Sequence, residues 1–268
     1  MKRILFGGGT ALLMAACATT TSPTGRTQYV GAVSKAQLDQ MGAQAFAEEK
    51  ASKPLSKDAK QNAYVRCVVD ALTRELPADW RATRWETAVF VDKDPNAFAL
   101  PGGKVGVYTG IFGVAKNQDQ LAAVIGHEIG HVISNHHDER ITRQLGAQAG
   151  LGVVGSLLGS RYGEGAENAT NQFGGMAAQG LFLLPNSRTQ ESEADVVGQQ
   201  LMAKAGFDPR QAVGLWQNML AAGGSRPPQW LSTHPDPQAR IGELQGRADG
   251  LVPTYDQARA AGRKPRCG

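Results

Sequence analysis

Two histidines and a glutamate in one short segment have the spacing of a metal site. The segment is His127-Glu128-Ile129-Gly130-His131. Positions i and i+4 lie on one face of an α-helix, so both imidazoles can bind the same cation. Neutral imidazole is a preferred ligand of zinc, and a catalytic zinc keeps one position open for water. Glu128 is then placed to take a proton from that water and pass it to a leaving amine. The motif predicts peptide-bond hydrolysis with one Zn²⁺ per chain.

The helix around the motif has a separate apolar face. Four side chains lie about 120–200° from His127 around the helix axis: Leu121, Ile125, Ile129 and Val132. This face would anchor the helix in a core while the other face holds the metal. Gly126 and Gly130 each weaken a helix by up to about 1 kcal/mol relative to Ala, which predicts that another segment approaches closely. The competing interpretation is a helix that carries two histidines by chance.

Acidic residues further along the chain can supply the third ligand that a catalytic zinc needs. Glu191 and Asp195 are four positions apart on a predicted helix. Glu191 can bind the metal, while Asp195 can accept a hydrogen bond from the outer nitrogen of a ligand histidine. Glu193 competes for the ligand role, although it lies about 200° from Glu191 around the helix. An ordinary acidic helix face is the remaining alternative.

Periodic patterns predict the elements that must position these residues. Helices are predicted over 34–76 (with a separate helix from 59), 117–144, 189–205, 209–222 and 238–248. Strands are predicted over 85–92, 96–100 and 104–109, the last two joined by the turn Pro101-Gly102-Gly103. The Gly-rich range 146–180 is either a mobile flap or a pair of closely packed helices. The expected fold class is α+β, mostly helical, with a small sheet beside the motif helix.

The N-terminus is similar to a bacterial lipoprotein signal. Two basic residues and an apolar stretch, too short for a stable membrane span, lead directly to Cys17. The signal peptide would be residues 1–16, the lipid would be attached to Cys17, and 17–33 would be a polar tether. An ordinary cleaved signal is the alternative. The similarity to lipoproteins implies a lipid-anchored location on the periplasmic face of the outer membrane.

Cys67 and Cys267 are the remaining cysteines, and an oxidising compartment would allow them to pair. The bond would connect the tail, 251–268, to an early helix of the domain predicted at 34–250. Two unpaired thiols are the alternative. Hydrophobic residues make up 41% and charged residues 19%, which indicates a globular protein. No basic stripe interleaved with aromatics occurs, so we do not expect nucleic-acid binding.

Four sequence blocks resemble the HtpX-like and CAAX-prenyl-protease-related zinc metallopeptidases, in particular their periplasmic lipoprotein branch. The blocks are Asn-Ala-Phe-Ala-Leu-Pro-Gly-Gly at 96–103, the motif helix, Ser187-Arg188-x-x-Glu191-x-x-Ala194-Asp195, and Ser-Thr-His-Pro at 232–235. The resemblance implies a zincin-like domain of the gluzincin type, with Glu191 rather than Glu193 as third ligand. It also implies that His234 reaches the active site, as an occluding fourth ligand or as a stabiliser of the oxyanion.

The same resemblance implies a substrate cleft where an extended peptide can add to a sheet edge. The cleft residues would be Asn96, Ala97, Phe98, Gly102 and Gly103. The chain has no hydrophobic spans like those of the prenyl-protease branch, so we do not expect prenylated substrates.

Three further residues are ambiguous. His136 is predicted to be a structural histidine and His137 to be exposed to solvent, because both lie away from the ligands on a continuous helix. Arg240 either pairs with a carboxylate of the site or is an ordinary surface charge.

The sequence therefore predicts a zinc metalloendopeptidase whose substrates are unfolded or misassembled envelope proteins. The first alternative is a chaperone-like outer-membrane assembly factor in which His234 closes the zinc site. A structural zinc protein is the second alternative, and Glu128 argues against it because such a site needs no base beside the ligands.

Overall fold

The computed structural model describes residues 18–147, 186–222, 229–234 and 237–268. Up to the motif helix the elements are β1 (Ala18–Thr21), β2 (Thr27–Val30), α1 (Lys35–Ser52), α2 (Ala59–Thr73), α3 (Ala78–Arg81), β3 (Glu86–Phe90), β4 (Ala97–Leu100), β5 (Lys104–Tyr108), α4 (Ile111–Val114) and α5 (Gln118–Ile133). Residues 136–147 are also helical. The later elements are α6 (Arg188–Ala205), α7 (Gln211–Ala222), α8 (Gln229–Thr233) and α9 (Pro237–Ala260).

A three-stranded sheet lies beside the motif helix, as the sequence predicted. Its strand order is β3-β5-β4, with β3 parallel and β4 antiparallel to β5. Strand β4 is therefore at the edge of the sheet, next to α5. The predicted α+β fold, mostly helical with a small sheet, is confirmed.

Helix α5 runs through the centre of the core. Every residue from Gln120 to Ile133 is buried. One side of the helix meets α2, whose buried apolar residues are Val65, Val68, Val69 and Leu72. Its other sides meet β4, α6 and α7, so the metal motif is enclosed by both the sheet and the later helices.

The glycines of the motif helix are explained by α6. A Cβ atom added at Gly130 would lie 2.9 Å from the carbonyl oxygen of Ala194, and one at Gly198 would lie 2.8 Å from the backbone nitrogen of His127. At Gly126 the nearest atom would be the carbonyl oxygen of Gly198, at 3.2 Å. The two helices therefore pack backbone against backbone, which is the close approach that the sequence predicted.

The prediction of one continuous helix over 117–144 is wrong. Helix α5 ends at Ile133, and Asn135 adopts a left-handed conformation with φ 53° before residues 136–147 form a new helical segment. Asparagine tolerates this conformation better than most residues, which allows the break. The break changes the directions in which His136 and His137 point.

The prediction of a polar tether over 17–33 is also wrong for residues 18–33. Strands β1 and β2 form an antiparallel hairpin that packs on the domain. The side-chain amide of Gln28 donates to the carbonyl oxygen of Ser134 at 2.6 Å, and Arg26 forms ion pairs with Glu139 and Glu193. Gln28 and Arg26 therefore bind polar groups of the domain, whereas the hairpin threonines Thr19, Thr21 and Thr27 face solvent.

The C-terminal helix is longer than predicted. Helix α9 extends from Pro237 to Ala260, so the predicted domain boundary at residue 250 falls inside it. The tail then returns to α2, where Cys67 and Cys267 are joined by a disulfide with a Cα–Cα distance of 5.4 Å.

Two sets of predictions lie outside the described residues. These are the signal peptide with the lipidation site Cys17, and almost all of the Gly-rich range 146–180. Within the described ranges, none of the helices has the length and apolar character needed to cross a membrane.

Removing the disulfide should destabilise the protein, because the bond closes a loop with a sequence separation of 200 residues. We expect the double variant Cys67→Ser/Cys267→Ser to lose about 2–5 kcal/mol in free energy of unfolding. Urea denaturation measures this loss, and added reductant should shift the wild type but not the variant. Equal stabilities of wild type and variant under oxidising conditions would contradict the structural role of the bond.

Candidate metal centre

Three predicted ligands meet at one buried point. The Nε2 atoms of His127 and His131 are 3.1 Å apart. One carboxylate oxygen of Glu191, Oε2, lies 3.5 Å from His127 Nε2, and the other, Oε1, lies 3.3 Å from His131 Nε2. Ligands at 2.0–2.1 Å from a tetrahedral zinc are separated by about 3.3 Å, so the donor atoms have both the chemistry and the spacing that zinc requires.

His234 completes the cluster as a fourth possible ligand. Its Nδ1 atom is 3.2 Å from His127 Nε2 and 2.9 Å from a carboxylate oxygen of Glu191. All four residues are buried, and their donor atoms lie within 4.8 Å of one another. His234 could therefore supply the fourth donor at the position that a catalytic zinc site leaves to water.

Helix α6 delivers two carboxylates to this point. It begins at a capping box between Ser187 and Gln190, which fixes its first turn one residue before Glu191. Asp195 follows one turn later, and its Oδ1 lies 3.0 Å from His127 Nδ1. In the neutral form of His127, an Nδ1–H donated to Asp195 leaves Nε2 unprotonated and directed at the cluster.

Arg240 belongs to the site and is not a surface charge. From α9 it donates to both oxygens of Asp195, at 2.6 and 2.7 Å, and to Glu191. The plane of Trp216 lies beneath its guanidinium, 3.8 Å from ring centroid to Cζ. Arg240 therefore holds the two carboxylates in fixed positions and compensates their buried charge.

Burial and charge act against each other in this cluster. Burial would raise the pKa of Glu191, but His234 and His131 outweigh it and hold the pKa of this carboxyl well below its usual range. Burial lowers the pKa of His131 well below normal, which favours the neutral ring that binds metals. For His127, burial and Arg240 lower the pKa, yet Asp195 and Glu191 prevail and raise it to about 9. A metal must therefore displace a proton from His127.

The outer nitrogen of His131 is held by a different chain of contacts. His131 Nδ1 is 2.8 Å from His136 Nδ1, and His136 Nε2 is 3.1 Å from Glu193 Oε2. If His131 binds a metal through Nε2, its Nδ1–H donates to His136, which in turn donates its Nε2–H to Glu193. Arg26 donates to the same carboxylate from the N-terminal hairpin, at 2.8 and 2.9 Å.

The sequence did not predict this series of hydrogen bonds from His131 to Glu193. Glu193 was a rival for the ligand role, His136 a structural residue, and Arg26 part of a tether. These contacts depend on the break at Asn135. A helical wheel drawn for a continuous helix places His136 away from the metal ligands. No local pattern in the sequence indicates that the hairpin returns to the motif helix.

Glu128 points towards the same cluster from α5. The indole Nε1–H of the buried Trp230 donates to Glu128 Oε1 at 2.8 Å, and His234 Nε2 lies 3.4 Å from that oxygen. Trp230 was not among the predicted site residues. The hydrogen bond from Trp230 fixes one oxygen of the Glu128 carboxylate, which leaves the other oxygen available for a proton.

A cavity of about 260 Å³ opens beside the cluster. Its walls include Glu128, His131 and His234 on one side and the edge strand β4 on another. Of the predicted cleft residues, Asn96, Ala97 and Phe98 line it.

Gly102 and Gly103 do not line this cavity, so their assignment to the cleft is corrected. Both have positive φ, 75° and 72°, because they form the tight turn that joins β4 to β5. In this turn they pack against Asp39 of α1 and Thr83 rather than facing the metal cluster.

His137 was expected at the surface but is only 6% exposed. The break before residue 136 turns its ring inwards, where it lines the cavity together with Arg140. Burial lowers the pKa of His137 well below its ordinary value, so the ring is neutral near pH 7. Arg140 was not singled out from the sequence.

Comparison with known proteins gives consistent matches. Residues 59–248 match the sequence model of the family described as Peptidase family M48. The chain is 39% identical over 166 residues to the mitochondrial metalloendopeptidase OMA1 of Schizosaccharomyces pombe, covering 60% of this chain and 46% of that protein. It is 32% identical over 272 residues to OMA1 of Danio rerio, covering 95% and 55%. It is 29% identical over 245 residues to the beta-barrel assembly-enhancing protease of Escherichia coli K12, covering 89% and 49%. The chain spans about half the length of these curated relatives.

The hydrogen bonds that connect Glu193 through His136 to His131 predict an effect of Glu193 on metal affinity. In Glu193→Gln an amide replaces the carboxylate that accepts from His136, so His131 becomes a weaker donor to the metal. We expect zinc affinity, measured by competition with a chromogenic chelator, to fall by about 10–100-fold. Glu243→Gln makes the same change at an exposed site and should have no effect. Equal affinities of both variants would contradict the role of Glu193.

Proposed function

The chain belongs to peptidase family M48, and on that premise we propose that it is a zinc-dependent endopeptidase acting on unfolded or misassembled proteins of the bacterial cell envelope. The observation that carries this proposal is the buried cluster of His127, His131 and Glu191 with Glu128 beside it. A structural zinc site would need neither the carboxylate nor the adjoining cavity.

The ligands would be His127, His131 and Glu191, held by Asp195, Arg240 and His136. Zinc bound there would supply a Lewis acid that polarises the scissile carbonyl and acidifies water. Glu128 acts as the general base, taking a proton from the attacking water and delivering it to the leaving amine. Trp230 keeps Glu128 oriented towards the cavity during both transfers.

Strand β4 is the proposed docking edge for the substrate. Within the described residues it pairs with β5 on one side, while its residues Ala97 to Leu100 and the preceding Asn96 line the cavity. An extended peptide could add to this edge through backbone hydrogen bonds, which impose little sequence preference. Such recognition suits unfolded polypeptides, because folded proteins rarely present an unpaired strand.

The envelope location rests on the N-terminal sequence and on one relative. We propose that Cys17 carries the lipid and that the chain lies on the periplasmic face of the outer membrane. The name of the Escherichia coli relative associates that protein with β-barrel assembly, which favours envelope proteins as substrates here. Hairpin β1–β2 follows Cys17 directly and would keep the catalytic domain close to the membrane surface.

Glu128→Gln tests the mechanism. The variant keeps every proposed ligand but lacks the base, so it should retain zinc and lose at least about 100-fold in the rate of casein cleavage. Metal content is measured by atomic emission and cleavage by peptide release. Glu48→Gln on α1 is the matched control and should cleave at the wild-type rate. Undiminished cleavage by Glu128→Gln would refute the assigned role.

A second candidate function is supported by the position of His234. Its Nδ1 atom lies in the metal cluster, where a ligated ring would exclude the water needed for hydrolysis. In this case the protein would act chiefly as a chaperone-like assembly factor, with proteolysis held in check. Under both candidate functions, the protein at rest would have the His234 ring in the metal cluster.

His234→Ala distinguishes occlusion from catalysis. We expect the variant to cleave casein faster than the wild type, because the fourth position becomes available to water. Gln238→Ala, an exposed change nearby, should leave the rate unaltered. A fall of about 100-fold or more in His234→Ala would contradict occlusion and assign His234 to the oxyanion.

A further inference from the structure

Among the described residues, one buried cation of the active-site cavity has no counter-ion. Arg140 is 4% exposed and lines the cavity beside the metal cluster. Its Nε is fully buried without a hydrogen-bond partner, and among the described residues no carboxylate forms an ion pair with its guanidinium. Burial lowers the pKa of Arg140 to about 10, which still leaves it protonated at neutral pH. A buried, unpaired charge is unfavourable and is normally compensated.

The carboxylates whose negative charges act on Arg140 are those of Glu191, Glu128 and Glu139, and each of them has other partners. Glu139 is paired with Arg26, which binds both of its oxygens, and also accepts from Gln190. Glu128 is held by Trp230, and Glu191 lies among the metal ligands. The next cation along the same segment, Arg143, adds like charge and lowers the pKa of Arg140 further. The protein therefore offers Arg140 no anion of its own within the part that is described.

The two other buried or half-buried arginines near the site show the contrast. Arg240 donates to both Asp195 and Glu191, and Arg26 to both Glu139 and Glu193. Each of these is paired with two carboxylates, whereas Arg140 faces a cavity. Of these three arginines, only Arg140 is therefore left by the described residues to pair with an anion that enters the cavity.

A second unpaired polar atom lies in the same cavity. The side-chain oxygen of Asn186 is buried and accepts no hydrogen bond from any described residue. The Glu49 carboxylate, which also lines the cavity, accepts from the hydroxyl of Tyr108. The cavity therefore combines a cation and an acceptor, which match a carboxylate and an N–H of a peptide.

We propose that Arg140 binds a carboxylate of the peptide substrate in this cavity and so makes the enzyme prefer acidic substrates. The carboxylate comes either from an acidic side chain near the scissile bond or from the C-terminus of the substrate. A guanidinium suits both, because its donors match the two oxygens of a carboxylate. The inference rests on the proposed endopeptidase function and names the substrate class of that site.

Matched peptides test the proposal. Peptides spanning a cleavage site found in digested casein are made with Glu or Gln at each flanking position, and with a free or an amidated C-terminus. We expect wild type to prefer one carboxylate-bearing peptide over its amide by about 10–100-fold in kcat/KM, the effect of a charged hydrogen bond. In Arg140→Gln this ratio should fall to about 1. The Glu series and the C-terminal series identify the source of the carboxylate.

Arg143→Gln is the control, because it removes an exposed cation from the same segment and should keep the wild-type ratio. Thermal unfolding of Arg140→Gln should give a Tm no lower than wild type, since no ion pair is lost. A wild type without preference, the same preference in Arg140→Gln, or a large fall in its Tm would overturn the proposal.

Binding separates this inference from the proposed function. Fluorescence anisotropy of the same peptides on the Glu128→Gln variant, with and without Arg140→Gln, measures the preference without cleavage. If wild type cleaves no peptide but binding still favours the carboxylate through Arg140, the endopeptidase proposal fails while the anion site stands. Equal binding of acid and amide peptides would reject the site.

Discussion

Helices α5 and α6 approach so closely at Gly130 and Gly198 that a methyl group at either position would collide with the backbone opposite. This contact decides where the carboxylates of α6 can be. It brings Glu191 and Asp195 within reach of both histidines of α5, with donor atoms 3.0–3.5 Å apart. A larger residue at these positions would force the two backbones apart and so move Glu191 and Asp195 away from the histidines. The glycines, which weaken each helix alone, are the condition for the cluster.

The cluster contains buried charges, and arginines from other elements of the fold compensate them. Four carboxylates, those of Glu128, Glu191, Glu193 and Asp195, are buried with several imidazoles in and around the cluster, where unpaired charges are costly. Arg240, carried on the long helix α9, neutralises one side through Asp195 and Glu191. Arg26, carried on the N-terminal hairpin, neutralises the other side through Glu193 and Glu139. Elements at opposite ends of the chain therefore converge on the motif, and each histidine ligand has its own carboxylate-bearing support.

Much of this architecture follows from local patterns, and some of it does not. Period and composition predicted the sheet, α5 and α6, because each buries a regular apolar face. The His127–His131 spacing and the glycines beside it were legible for the same reason. The relay through His136, the inward turn of His137 and the hairpin around Arg26 were missed. They depend on a single left-handed residue, Asn135, and on contacts between residues more than a hundred positions apart. Arg140 could not be singled out from the sequence, because only the packing shows that no described carboxylate pairs with it.

X-ray absorption at the zinc edge of the purified protein tests the central claim most directly. The account predicts one zinc per chain with about four nitrogen or oxygen ligands at about 2.0–2.1 Å, and the multiple scattering of two or three imidazoles. Three imidazoles would include His234 in the resting site. A sulfur ligand at about 2.3 Å, or zinc far below one per chain after equilibration with excess metal, would contradict the assignment of the cluster.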